Sequence, residues 1–280
     1  MGDRILITGA TGTTGNALTR HLNAAGADFV RATRKPDGPH DRQFDWRDGQ
    51  SYDLALDGVS KIYLVAPTDT SEPLAVMLPF LEQAIEGGVE KIVLLSASSL
   101  PRGGPMMGAV HAWLAEQDVN WSVLRPTWFM QNFVTQHLAS IQANSVIYSA
   151  TGQGRVPFID ASDIAAVAAR VLLDSSLVQN ADIVLTGPQS LTYADVAAVL
   201  SKISGRTIRH INLTPEQLAA RHRANGLPDD YATTLALMDA AIAEGSEDRV
   251  SAGVADITGR APNDLEAVLS TYRVNLMLAA

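Results

Sequence analysis

Two rhythms of hydrophobic and polar positions take turns along the chain. Short apolar runs at residues 5–7, 28–33, 61–67, 91–95, 120–127 and 182–186 read as strands of a covered sheet. Between them lie stretches with helical spacing. One follows Gly15 and puts Leu18 and Leu22 on one face; another, at 73–86, is opened by Pro73 and closed by Gly87-Gly88. Others fall at 109–117 and, rich in Ala and Val, at 163–173. Pro79 sits inside the second stretch and is expected to kink it. This alternation predicts right-handed crossovers and an α/β doubly wound parallel sheet. Beyond Gly187-Pro188 the texture changes: caps announce helices, Thr192 with Asp195 and then Thr214-Pro215-Glu216-Gln217, around a short strand at 209–213. The expected division is residues 1–187 as the α/β domain and 188–280 as a smaller, mostly helical portion.

The first strand runs into Thr8-Gly9-Ala10-Thr11-Gly12-Thr13-Thr14-Gly15 and then into the first helix. Glycine at such a turn permits positive φ and lets a ligand approach the backbone, while the helix start favours an anion. Gly9, Thr11, Gly12, Thr13, Thr14 and Gly15 are therefore candidates to hold a dinucleotide pyrophosphate, which makes residues 1–187 an NAD(P)-binding Rossmann domain and 188–280 its substrate-capping portion. Nineteen residues beyond Gly15, where an NAD-preferring site carries an acid for the ribose hydroxyl, stand Arg34 and Lys35. Both suit a 2′-phosphate, so the expected cofactor is NADP(H); the plainer reading is a solvated basic turn. Asp45, between Phe44 and Trp46, is a candidate acceptor for the adenine amino group, or a surface carboxylate beside a half-buried ring. Open α/β sheets bind ligands outside the carboxyl ends of their strands, which adds Ala66, Pro67, Ser96 and Pro126 as cofactor candidates.

At 280 residues, 46% hydrophobic and 18% charged, the chain can bury a substantial core. Its formal net charge of -9, with no basic run, argues against nucleic acid. No segment approaches the ~18 apolar residues of a membrane span, and the opening apolar run meets Thr8 and Gly9 too soon for a signal peptide. A soluble, cytoplasmic protein with a small-molecule substrate is expected. Zero cysteines remove thiolate sites and disulfides, and the histidines have no paired ligand spacing, so no metal is expected. No feature of the sequence sets an oligomeric state.

Aromatic residues follow a strand end in Leu124-Arg125-Pro126-Thr127-Trp128-Phe129-Met130-Gln131-Asn132-Phe133. Trp128 and Phe129 are candidate walls for a flat apolar substrate, with core packing as the alternative, and Met107 is a third candidate. This block is joined by the glycine loop, Val30-Arg31-Ala32-Thr33-Arg34, Ser96 at a strand end, Gly103-Gly104-Pro105, Val110-His111, Gly152-Gln153-Gly154 and Gly259-Arg260-Ala261-Pro262. Together they resemble the NmrA-like group of atypical short-chain dehydrogenase/reductases, and within it the ergot-alkaloid-type reductases such as festuclavine and agroclavine dehydrogenases. One departure is Gln131, where that block is expected to carry Glu. The resemblance implies imine or iminium reduction.

Most short-chain dehydrogenases use Tyr-x-x-x-Lys, in which the Lys lowers the phenol pKa. No such pair occurs here; the corresponding region has Met107 and His111. His111 is a candidate proton donor or ribose contact, or else a core histidine, and Ser96 is a candidate catalytic hydroxyl or a plain loop serine. Without a phenol acid, the favoured chemistry is hydride transfer to an activated acceptor: an imine or iminium, a quinone or an enone of a small, apolar, cyclic metabolite. Two alternatives keep the fold, a non-catalytic NADP(H)-binding redox sensor and a non-redox isomerase or cyclase.

Overall fold

The computed structural model describes residues 3–273 and Leu276. In chain order the strands are β1 (Arg4–Ile7), β2 (Phe29–Thr33), β3 (Asp41–Gln43), β4 (Val59–Leu64), β5 (Lys91–Leu95), β6 (Asn120–Pro126), β7 (Val146–Ser149), β8 (Ala181–Leu185) and β9 (Arg209–Asn212). The α-helices are α1 (Thr13–Ala24), α2 (Tyr52–Leu56), α3 (Pro73–Glu86), α4 (Met107–Leu114), α5 (Leu138–Asn144), α6 (Ala161–Leu173), α7 (Tyr193–Ser204), α8 (Pro215–Ala224), α9 (Asp229–Ala243), α10 (Gly253–Thr258) and α11 (Leu265–Ser270). The chain separates into two compact units. One takes in the chain up to Pro126, Ala161–Leu185 and Gly253–Arg260; the other takes Thr127–Asp160, Thr186–Ala252 and the chain from Ala261. In place of the single boundary expected at residue 187 there are several crossings. The physical reason is that β8 is needed to extend the first unit's sheet, and α10 returns late in the chain to pack on α6 and β8.

In the first unit seven strands form one parallel sheet in the order β3-β2-β1-β4-β5-β6-β8, the doubly wound arrangement expected from the alternation. Apolar runs are needed because helices cover both faces. Val30, Leu6, Ile62, Ile92 and Trp121 stand side by side across five strands and share a core with Phe80 and Leu81 of α3 and Val110 and Leu114 of α4. The alternate residues Ile5, Ile7, Tyr63 and Val93 are equally buried and face the opposite side. There α1 packs on α6, whose buried Ala165, Ala166, Ala168 and Ala169 permit close approach. Helix α3 begins at Pro73, as the pattern predicts, and runs to Glu86 with Pro79 exposed inside it.

The second unit contains the parallel pair β7 and β9 and a core that includes Phe133, Phe158, Tyr193, Leu200 and Leu269. Both expected capping boxes form, Thr192 with Asp195 and Thr214 with Gln217. The segment after β7 is pinned through its backbone. Ala150 N–H donates to Asp239 Oδ2 at 3.0 Å and Gly152 N–H to Asn212 Oδ1 at 2.7 Å, and a Cβ added to Gly154 would overlap the Ile242 carbonyl. Asp239 is 8% exposed, and that burial pushes its carboxyl up to about 6 against the opposing effect of the Ala150 N–H.

A carboxyl whose pKa rises on folding contributes stability while protonated, and the contribution is lost as pH rises through about 6. Asp239→Asn keeps an acceptor for Ala150 and removes the buried charge. The variant is expected to melt above the wild type at about pH 8, by roughly 2–3 kcal/mol, and level with it near about pH 4. Thermal melts followed by circular dichroism check this; a gap that does not change with pH removes Asp239 as its cause.

Candidate functional site

The carboxyl end of β1 is tied to that of β4 by one buried hydroxyl. Thr8 Oγ1 accepts the Val65 N–H at 2.7 Å and donates to the Tyr63 carbonyl at 3.1 Å. Gly9 follows with φ +61°, and a Cβ there would stand 2.9 Å from Val65 Cβ. Gly12 caps α1 without any side-chain oxygen, its own N–H reaching the Gly9 carbonyl at 2.9 Å. A Cβ added to Gly15 would overlap the Gly9 carbonyl oxygen and come 2.8 Å from Ala10 Cα. Asn16 Nδ2 closes the turn onto the Thr11 carbonyl at 2.8 Å. Thr11, Gly12 and Thr13 are exposed, while Thr14 and Gly15 are buried. The turn fits a diphosphate: its glycines stand where side chains would intrude, and the first helical N–H groups carry no capping side chain. Tyr63 is fully buried beside Thr14, and burial pushes its phenol above its ordinary range, so it stays protonated within the sheet.

Arg34 and Lys35 are exposed just past β2, with the Lys35 N–H on Thr33 Oγ1 at 3.2 Å. Asp45 is half-buried; its Oδ1 accepts the Arg47 N–H at 3.0 Å. Its neighbours are packing residues first, Phe44 meeting Trp46 edge-on at 4.8 Å and Trp46 meeting Phe80 at 5.3 Å. Ala66 and Pro67 are half-buried after β4, and Pro126 is buried at the end of β6. Ser96 follows β5, its N–H on the Leu124 carbonyl at 2.8 Å and its Oγ buried with no partner among the described residues. Arg125 holds this segment from β6. Its Nη2 donates to the Ser98 carbonyl at 2.8 Å, its Nε to the Ala97 carbonyl at 3.4 Å, and its Nη1 pairs with Asp182 Oδ2 at 2.6 Å. In a parallel sheet these strand ends lie on one edge, so the first unit gathers the cofactor candidates there.

His111 is placed differently. It lies one turn inside α4, 2% exposed, with its ring edge-on to Trp121 at 5.2 Å. Burial lowers its pKa, and neither ring nitrogen has a partner among the described residues. Met107 is half-buried and packs on the same core, after Met106 in the left-handed region at φ 53°.

Trp128 and Phe129 belong to the second unit. Both are half-buried, the Trp128 carbonyl accepting the Ile159 N–H at 2.9 Å and Phe129 bridging the same residue. Gln131 is buried, and its Nε2 donates to Asp160 Oδ1 at 2.6 Å while Asn263 Nδ2 reaches the other oxygen at 2.8 Å. A Glu at 131 would set two carboxylates together, so the amide answers this chain's own Asp160. Thr8 and Arg125 do more at the site than sequence reasoning assigned them; the signals were a polar residue closing a buried strand and a cation within one. Among the described residues no group of three or more His, Asp or Glu side chains gathers as a metal site requires, and no helix is long and apolar enough to cross a membrane.

The NmrA-like family matches residues 114–267, and the NAD dependent epimerase/dehydratase family matches residues 5–99. A Bacillus subtilis protein named uncharacterized oxidoreductase YesF is 41% identical over 272 residues, 96% of this chain and 94% of that one. Agroclavine dehydrogenase of Claviceps fusiformis is 39% identical over 274 residues, 92% of this chain and 93% of that one. Among solved structures, an NADPH-dependent quinone oxidoreductase of Escherichia coli complexed with NADPH matches with a TM-score of 0.81 at 26% identity, covering 96% of this chain and 99% of that one.

The glycine cradle is tested at Gly15. Because a side chain there must push α1 from the end of β1, Gly15→Ala is expected to weaken binding of NADPH and NADH alike, by about tenfold or more. Calorimetric titration of the folded variant measures it; affinities equal to the wild type would remove the diphosphate from this turn.

Proposed function

This chain belongs to the NmrA-like family of atypical short-chain dehydrogenase/reductases and is an NAD(P)-dependent oxidoreductase, and from that premise we propose that it reduces an activated acceptor at the expense of NADPH. The acceptor is an imine or iminium, or a quinone or enone, on a small, apolar, cyclic metabolite. In this reading the Thr13, Thr14 and Gly15 N–H groups hold the diphosphate, Arg34 and Lys35 take the 2′-phosphate, and Asp45 accepts from the adenine amino group. Ala66, Pro67 and Pro126 line the remaining edge, and the Ser96 hydroxyl donates to the carboxamide or the acceptor. Met107 supplies apolar wall.

The observation that carries the choice of acceptor is the missing proton donor. No Tyr-x-x-x-Lys occurs in the chain, and His111 packs against Trp121 under burial that lowers its pKa. When bound, the dinucleotide supplies hydride. An iminium carbon that receives it passes its π pair to nitrogen and becomes a neutral amine, asking no proton of the protein, whereas a ketone would leave an alkoxide needing an acid. The protein's share is then orientation and exclusion of water. The agroclavine named for the Claviceps relative, and the quinone and NADPH named for the Escherichia coli structure, support an acceptor of this kind.

NADPH absorbance is expected to fall with cyclic iminium or quinone acceptors and to hold steady with simple ketones. His111→Gln is expected to keep kcat within about tenfold, since removing a true general acid costs about 10²–10⁴; a loss in the larger range would make His111 the donor. Tight NADPH binding with no turnover across the panel would overturn the reductase reading in favour of a redox sensor, recognisable by unequal effects of NADPH and NADP⁺ on partner binding.

A further inference from the structure

Arg34 and Lys35 are exposed cations on a turn, and long exposed side chains select a phosphate only where the backbone that presents them is held. The group that holds it lies on the neighbouring strand. Asp41 opens β3 beside Arg31 of β2, and its side chain is 1% exposed. Its Oδ2 accepts the N–H groups of Asp37 at 3.1 Å and Gly38 at 3.2 Å, and its Oδ1 lies 3.4 Å from Arg31 Nε. Backbone bonds close the same turn, Asp41 N–H to the Gly38 carbonyl at 3.0 Å and Arg31 N–H to the His40 carbonyl at 2.7 Å. At its other end Thr33 Oγ1 takes the Lys35 N–H. Residues 34–38 are thus bracketed by two side chains.

Two roles for Asp41 predict opposite signs. Acting through charge, a carboxylate bonded to the turn that carries Arg34 and Lys35 would repel a phosphate, and removing it would tighten NADPH binding. Its contacts point the other way. Burial alone would raise the Asp41 pKa, but the Asp37 and Gly38 hydrogen bonds and the Arg31 charge outweigh that and hold it below its ordinary value. Arg31 neutralises the carboxylate, and both N–H bonds fall on the turn itself. Resting on the NADPH reading above, we propose that Asp41 is a positioning residue for cofactor choice: it shapes the 34–38 turn that presents Arg34 and Lys35 to the 2′-phosphate, and so sets the preference for NADPH over NADH.

Dissociation constants for NADPH and NADH, measured by fluorescence titration on the full chain, test this in the wild type, Asp41→Asn and Arg34→Ser. Asp41→Asn loses an acceptor at nearly constant volume, and its preference for NADPH is expected to fall about tenfold, the scale of one charged hydrogen bond, in the same direction as Arg34→Ser. NADH binding reports that the glycine turn is folded in each variant. If Asp41→Asn binds neither nucleotide, Asp41→Ser, small and uncharged, takes its place and is read in the same way. A wild-type preference that the Asp41 variant leaves unchanged or increases overturns the positioning role alone. A wild type with no preference for NADPH overturns both this inference and the cofactor reading beneath it.

Discussion

Everything at the candidate site depends on how closely the start of α1 approaches the end of β1. Gly15 stands against the Gly9 carbonyl with no room for a Cβ, and Gly9 stands against Val65 in turn. That contact brings a helix amino terminus to the sheet's carboxyl edge and leaves its first N–H groups without a capping side chain. The surroundings reinforce it from below, with Thr8 tying β1 to β4 and α6 presenting buried alanines to the face where α1 lies. The shape of this turn is therefore a product of packing as much as of local chemistry.

The buried polar groups divide according to whether their partners are close by. Asp41 and Asp160 are surrounded by donors, the first by two backbone N–H groups and Arg31, the second by Gln131 and Asn263. Asp163, fully buried at the start of α6, is paired with Arg260 Nη1 at 2.7 Å. Asp239 has Ala150 N–H as its stabilising influence, and its carboxyl is driven up rather than down. Between Asp41 and Asp239 the donors decide the direction: two N–H groups and a guanidinium hold the first carboxyl low, while a single N–H leaves burial to raise the second.

Much of this architecture could be read in advance, because burial on both faces leaves a mark in the chain. Strands β1, β4 and β5 are apolar runs, α3 is framed by Pro73 and Gly87, and the caps at Thr192 and Thr214 carry their partners three residues on. Strand β3 leaves no such mark, because it is an edge strand made of Asp41, Arg42 and Gln43, paired on one side by β2 and without an apolar residue. The division into units was illegible for another reason: hydrophobic periodicity says that a residue is buried but not in which core. At the site, the glycines were legible because steric exclusion is local. The task of Arg125 was not legible, because its acceptors at Ala97, Ser98 and Asp182 lie far away in sequence. His111, a titratable side chain in the chain's own pattern, lies edge-on to Trp121 and within the influence of Asp182, Arg102 and Arg125, neighbours that its sequence position does not reveal.

The interleaving of the two units bears on how the protein is made. A ribosome delivers the glycine turn and the first six strands of the sheet before any of α6, β8 or α10, and residues 127–160 of the other unit emerge in between. Until α6 arrives, α1 lacks the helix it packs against most extensively, and until residues 253–260 emerge, β8 lacks its contact with α10. The unit that carries the glycine turn is therefore complete only once residues 253–260 have emerged, and until then nascent chains expose part of an apolar sheet face.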